Sequence, residues 1–172
     1  VAPILVTAMT GAMARLVPSH PPRGNFMKLK QIVISIENSP NRLYKVIKAM
    51  SDAGINLRAL NLVDTGAFGQ LRLLVSDVAR ARQILMEMNI PAFVNEVVAA
   101  EIEDRPGSLS DIMLPLMEAD IRVKFMYAFI GTAVGKAVMI FRFSDNGKAI
   151  QLLRQNGVKL LDAANFNIYE QD

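Results

Sequence analysis

The sequence predicts an α+β fold built from two tandem βαββαβ units. Three observations point there. The 172-residue chain is 52% hydrophobic and 20% charged, so it can bury a core and is not a disordered tail. Its second half repeats the pattern of its first at an offset of 66 residues. Within each copy the apolar spacing switches between the period of a strand and that of a helix.

The repeat is anchored by Ile36-Glu37-Asn38-Ser39-Pro40-Asn41-Arg42-Leu43 and Ile102-Glu103-Asp104-Arg105-Pro106-Gly107-Ser108-Leu109, in which Ile, Glu, Pro and Leu coincide. The same offset pairs Val46 with Ile112, Met50 with Leu116, Ala53 with Ala119 and Ile55 with Ile121. Two further residues of offset bring Asp77 onto Asp145, Ala81 onto Ala149 and Leu85 onto Leu153. The organisation expected is a flexible extension or non-native leader over 1–26, a first module over 27–96 and a second over 97–172.

The leader carries Pro3, Pro18, Pro21 and Pro22, which break any long helix, and its apolar run is too short to span a membrane. It lacks the basic start of a signal peptide, and a strand pattern begins at Met27, the expected natural start.

In the first module Ile32, Ile34 and Ile36 alternate as one face of a strand. Ser39 then Pro40 reads as a helix cap followed by proline at the first helical position. Leu43, Val46, Ile47, Met50 and Ala53 form one helical stripe, and Gly54 stops it. A second strand starts at Ile55, Leu57 and Ala59. A loop follows over Thr65–Gly69, then a third strand with Leu71, Leu73 and Val75. Asp77 caps a second helix carrying Val78, Ala81, Leu85 and Met88, and a fourth strand runs from Ile90 to Val98.

The second module repeats the plan. Val98, Ala100 and Ile102 lead into a helix after Pro106, with Leu109, Ile112, Met113 and Leu116 inward and Pro115 as an interior kink. Ile121, Val123, Phe125, Tyr127 and Phe129 alternate on the second strand, and Ala137, Met139, Phe141 and Phe143 on the third. Asp145 opens the last helix, and Val158–Phe166 is the expected fourth strand. No linker separates the modules: the last strand of one runs into the first strand of the next near residues 97–100. Such a unit is the ferredoxin-like plan, an antiparallel sheet with both helices on one face. Seventy residues bury little surface and leave sheet edges, so pairing of units is expected.

Composition excludes much chemistry. There is no Cys, and the single His, His20, lies in the leader. Disulfides, thiolate sites, His-ligated metals and His-based triads are excluded from the body, and no carboxylate pair stands out, so no catalytic residue, metal or cofactor is expected. Absence of Cys suits a reducing, cytoplasmic setting. The net charge of +3 splits into +2 for the leader, +3 for the first module and −2 for the second, so the body lacks a nucleic-acid footprint. Gly131-Thr-Ala-Val-Gly135-Lys136 has the wrong spacing for a phosphate loop and reads as a hairpin loop. The aromatics from Phe125 to Phe143 read as core or as a pairing surface, not as a base-stacking platform.

The Asp104–Leu109 segment, set between an apolar strand and an amphipathic helix, resembles the ligand loop of an ACT domain. Asn38–Leu43 followed by Ala53-Gly-Ile-Asn-Leu57 resembles it a second time. The resemblance covers residues 27–172 and implies a stand-alone regulatory protein, not an enzyme. It implies an amino acid or related metabolite bound at the seam between modules, where the strand-to-helix loop makes contact. It also implies a homodimer, and a separate enzyme or regulator as partner. The residues it marks for ligand binding are Asp104, Arg105, Pro106, Gly107, Ser108 and Leu109, with Asn38, Ser39, Asn41, Arg42, Leu43 and Asn56. The physics agrees: a helix N-terminus offers free N–H groups to a carboxylate, Gly107 permits close approach, and Asp104, or the neutral Asn38 and Asn56, can accept from an ammonium. The plainer alternative is a turn and cap with no ligand, in a module that serves only for pairing. Asn41 stands where the second loop has Gly107, so the two loops need not act alike.

Overall fold

The structure is a computed structural model that describes residues 27–37, 39–130 and 135–169. The leader, Asn38 and residues 131–134 of the expected hairpin loop lie outside the described residues.

The elements follow the expected order: β1 (Lys28–Glu37), α1 (Pro40–Asp52), β2 (Leu57–Asp64), β3 (Phe68–Val75), α2 (Val78–Glu87), β4 (Ala92–Glu103), α3 (Ser108–Glu118), β5 (Val123–Ile130), β6 (Lys136–Phe143), α4 (Asn146–Gln155) and β7 (Lys159–Leu161), with a short 3₁₀ turn at Ala164–Phe166. Local chemistry sets the helix ends. Pro40 occupies the first turn of α1. Asp77 and Asp145 each cap a helix by accepting the N–H of Arg80 and Lys148 at 2.9 Å. Gly54 ends α1 in the left-handed region at φ 72°, where only glycine is unstrained, and Ile55 N–H closes back on Met50 O at 2.9 Å. Among the described residues no helix is long and apolar enough to cross a membrane.

The strands form one antiparallel sheet in the order β2-β3-β1-β4-β6-β5, with β7 on β4. Strand β4 belongs to both modules. Its first half pairs with β1, from Ala92↔Ile34 to Val98↔Lys28. Its second half pairs with β6, from Val98↔Phe141 to Glu103↔Lys136, and with β7 at Ala99↔Leu161. Each module thus has the ferredoxin-like order while sharing a strand.

Alternation along β4 sorts two environments. On the helix side, Ile32, Ile34, Leu71 and Leu73 pack with Val46 and Met50 of α1 and Leu85 of α2. Val98, Ala100, Met139 and Phe141 do the same with Ile112, Leu116 and Leu153 in the second module. On the other side Leu29, Leu74, Val97, Ala99, Val138, Ile140, Leu161, Phe166 and Ile168 form a third core. The sheet curls, so that the two helix-free faces close on each other. Phe141 and Phe143 stack at 5.2 Å inside the helix-side core.

Three sequence expectations change. Val158–Phe166 is not one strand. It pairs only over Lys159–Leu161, because Asp162 and Asn165 each accept the other's backbone N–H, at 3.1 and 2.8 Å, and turn the chain. Ile121 to Tyr127 do not share one face. The β5–β6 register shifts between Val123 and Phe125, leaving Val123 with the helices and sending Phe125 and Tyr127 into the central core. The first module repeats this: the register shifts between Leu57 and Ala59, which likewise part company.

The central core carries one polar seam between modules. Tyr127 donates its hydroxyl to Gln31 Oε1 at 2.7 Å, and the Arg72 guanidinium lies 4.3 Å from the centre of the Phe125 ring. Burial pushes the Tyr127 hydroxyl above its usual range, opposed by the nearby Arg72 charge. Above about pH 10 an unfolded tyrosine ionises while the folded one keeps its proton, so the unfolded state binds fewer protons and stability falls as pH rises. Urea melts between pH 8 and 11 should show this alkaline loss, and Tyr127→Phe should flatten it.

Pro115 lies inside α3 and cannot donate to the carbonyl of Asp111. Pro115→Ala is expected to raise stability by about 1–2 kcal/mol, the helical gain less the greater freedom of the unfolded chain. Thermal melting of the two proteins checks this.

Candidate functional site

The segment from β4 to α3 is a tight turn. Asp104 N–H donates to Gly135 O at 2.9 Å, tying the end of β4 to the start of β6. Gly107 follows at φ 94°, ψ −24°, left-handed, and its carbonyl accepts from Asp111 N–H at 3.0 Å to open α3. A β-carbon at Gly107 would meet only Arg105 Nη1, at 3.7 Å, so the backbone angle and not space demands glycine here.

Beside this turn lies an open groove of about 350 Å³. Arg105, Ser108 and Asp111 line one wall, Glu101, Glu103 and Lys136 another, and Gly157, Val158 and Lys159 close it. Its charges are paired: Arg105 Nη2 to Asp111 Oδ2 at 3.0 Å, Lys159 Nζ to Glu101 Oε1 at 3.1 Å, and Lys136 to Glu103. The hydrogen bond and charge of Lys136 hold the Glu103 carboxyl below the usual carboxylate range. Ser108 is only 6% exposed, and its Oγ has no hydrogen-bond partner among the described residues. A buried hydroxyl left without a partner is costly. Every lining residue belongs to the second module.

The expected residues separate in space. Arg105 and Ser108 line the groove. Asp104, Pro106 and Gly107 are exposed on the turn, and Leu109 packs against the helix-side core. In the first module the matching turn borders a smaller cleft of about 170 Å³ lined by Ile36, Glu37, Ser39, Pro40, Leu43, Leu62 and Gly69. Ser39 and Leu43 are therefore together, and their surroundings are apolar where the second module's are charged. Asn41 and Arg42 sit on the first turn of α1 outside that lining. Asn56 is at the other end of the sheet, where its N–H donates to Ser76 Oγ at 2.9 Å. Arg122 N–H does the same to Ser144 Oγ at 3.1 Å, so Asn56 occupies a repeated strand-start position.

Sequence reasoning missed Glu101, Glu103, Lys136 and Lys159. They meet only because Glu101 faces Lys159 and Glu103 faces Lys136 across strands. Also missed was an apolar groove of about 630 Å³ at the end of α2, lined by Ala79, Met86, Ile90, Pro91 and Ala92 among others. Among the described residues no cluster of three metal-ligating side chains occurs.

A family model described as an ACT domain pair matches residues 27–168. A comparison with curated proteins found no match. A crystal structure of a protein from Bacteroides thetaiotaomicron is 30% identical, with a TM-score of 0.78 over 83% of this chain and 97% of that one. The ligand-free regulatory subunit of aspartate kinase from Thermus thermophilus is 15% identical, with a TM-score of 0.55 over 76% of this chain and 93% of that one. The corresponding subunit from Thermus flavus is 13% identical, with a TM-score of 0.55 over 77% and 94%. At those identities the two Thermus subunits speak for the fold alone. With a matched model over almost the whole described chain and the turn repeated in register, the chain belongs to the ACT domain pair family.

Proposed function

We propose that the protein is a regulatory sensor that binds an amino acid or related metabolite at the β4–α3 turn and signals to a separate protein partner. The observation that carries this is the groove beside Gly107, where paired charges and the unpartnered Ser108 Oγ surround the start of α3. A ligand with both an ammonium and a carboxylate can exchange contacts with those pairs without leaving a charge unmatched. Free N–H groups at the helix start favour the carboxylate. In this reading Arg105, Ser108 and the backbone of Pro106 to Leu109 hold the ligand, and Asp104 faces its ammonium.

The first-module turn, with Asn38, Ser39, Asn41, Arg42 and Leu43, supports assembly more than binding. The reading also includes a homodimer working in the cytoplasm, with ligand changing its arrangement through differential affinity for two states. It assigns no reaction, so reproducible turnover of any metabolite would overturn it. The deciding experiment is thermal melting against the common amino acids at millimolar concentration, with Gly107→Asp and Lys148→Ala as paired variants.

A second reading, a ligand-free pairing module, is favoured by one observation. Edge strand β2 leaves Leu60 and Leu62 exposed without a Lys or Pro to blunt it, with Phe68 exposed on the adjacent β3. That reading predicts a dimer at all ligand concentrations and no thermal response to any amino acid.

A further inference from the structure

The internal repeat allows one module to be read as a template for the other. At the end of β3 in the first module, a small docking site is filled by the chain itself. Tyr169 N–H donates to Ser76 O at 2.8 Å, and Tyr169 bridges Asp77 in parallel register. Arg58 donates from Nη2 to Asn167 O at 3.2 Å. Between these two backbone bonds, Ile168 lies in the central core with Leu74. Residues 167–169, with Asn167 left-handed at φ 48°, ψ 48° after the 3₁₀ turn, are thus held by one carbonyl acceptor, one cationic donor and one apolar position.

The second module has the same frame. Lys124 sits within the β5 register shift where Arg58 sits within that of β2. Arg142 pairs with Phe125 as Leu74 pairs with Ala59. Ser144 and Asp145 match Ser76 and Asp77, down to the Ser144 N–H donating to Arg122 O at 2.8 Å as Ser76 N–H donates to Asn56 O at 2.9 Å. Here, however, no segment of the described chain fills the place. An open cleft of about 440 Å³ remains, lined by Lys28, Asn95, Glu96, Lys124, Arg142 and Ser144 among others. Ser144 O accepts no hydrogen bond among the described residues, and Arg142 Nη1 is buried without a partner. Lys28 is neutralised by Glu96 at 2.8 Å, and the Asp145 carboxylate is engaged in capping α4. Lys124 and Arg142 have no carboxylate partner among the described residues, so two cations stand where the first module presents Arg58 and an apolar Leu74.

We infer that this cleft docks a short acidic peptide segment of a partner protein, turned at its first residue as the chain is at Asn167. One backbone N–H of the segment donates to Ser144 O, a carbonyl accepts from Lys124, and an acidic side chain between them meets Arg142. A buried guanidinium nitrogen without an acceptor strongly favours a charged partner. The frame of one backbone acceptor and one cationic donor, spaced for residues i and i+2 of one chain, selects a peptide over a free anion.

The test uses the isotope-labelled whole chain and end-blocked peptides copying residues 165–169, followed by amide chemical shifts. The Ile168→Glu peptide is expected to give saturable shifts at Ser144, Asp145 and Asn146. The Ile168→Lys peptide should bind at least tenfold more weakly. Arg142→Leu, which copies the first module, should cost the Glu peptide at least tenfold in affinity, and Lys124→Gln should weaken it in the same direction while the rest of the spectrum stays folded. Equal binding of the Glu and Lys peptides would overturn the inference, as would shifts confined to Ser76 and Asp77 or no saturable shift at millimolar peptide.

Discussion

Ala99→Asp is expected to unfold both modules together. Ala99 is fully buried in the central core, paired with Ile140 on one side and Leu161 on the other. A carboxylate placed there is set among Val97, Val138, Ile140 and Leu161. Stranding a charge in such a place costs several kcal/mol even after relaxation, against a total stability of about 5–15 kcal/mol. Because β4 carries the pairing of β1, β6 and β7, damage at Ala99 is not confined to one module. Urea titration followed by amide signals should therefore show Leu73 and Phe141 of the parent protein lost at one midpoint, and neither signal present in the variant without urea. Val63→Asp, on an exposed edge position, should shift the midpoint by less than about 1 kcal/mol. Survival of the Leu73 signal after loss of Phe141 would show instead that the modules unfold separately.

The second large effect is the thermal response to ligand. An amino acid at 100 times its dissociation constant adds about 2.7 kcal/mol to stability. For a chain of this size that is a rise of about 5–10 °C in Tm. Gly107→Asp should remove the rise. It forces a residue with a β-carbon into φ 94° and displaces the turn that presents the α3 N–H groups. The strain itself costs about 1–2 kcal/mol, so each variant's response is measured from its own ligand-free Tm. Lys148→Ala, on exposed α4 surface, should respond as the parent does. If Gly107→Asp keeps the full rise, the ligand binds elsewhere, and the apolar groove at the end of α2 becomes the next place to test.

Much of the fold was legible because it rests on local repetition. Ile32, Ile34 and Ile36 alternate, Val46 and Met50 recur at helical spacing, and Asp77 and Asp145 announce their helices. These signals act over a few residues, as do the torsion preferences and caps that produce them. The turn itself was legible, since Asp, Pro and Gly stand together before a helical stripe. The sequence reads Gly107 as permitting close approach, whereas the structure shows its left-handed angle to be what demands glycine.

What the tertiary structure decided depends on partners far along the chain. The switch that parts Val123 from Phe125, and Leu57 from Ala59, is a property of strand pairing, not of either residue. The continuation of Ala92–Glu103 as one strand through both modules makes three cores from an apparent two. The charged wall of the groove arises where Glu103 meets Lys136 and Glu101 meets Lys159 across the sheet. Asn56, adjacent to the expected site by family pattern, lies a whole strand length away from Ser39 and Pro40. Periodicity tells which residues turn inward; only the register between distant strands, chosen by the packing of the whole core, tells which of them meet.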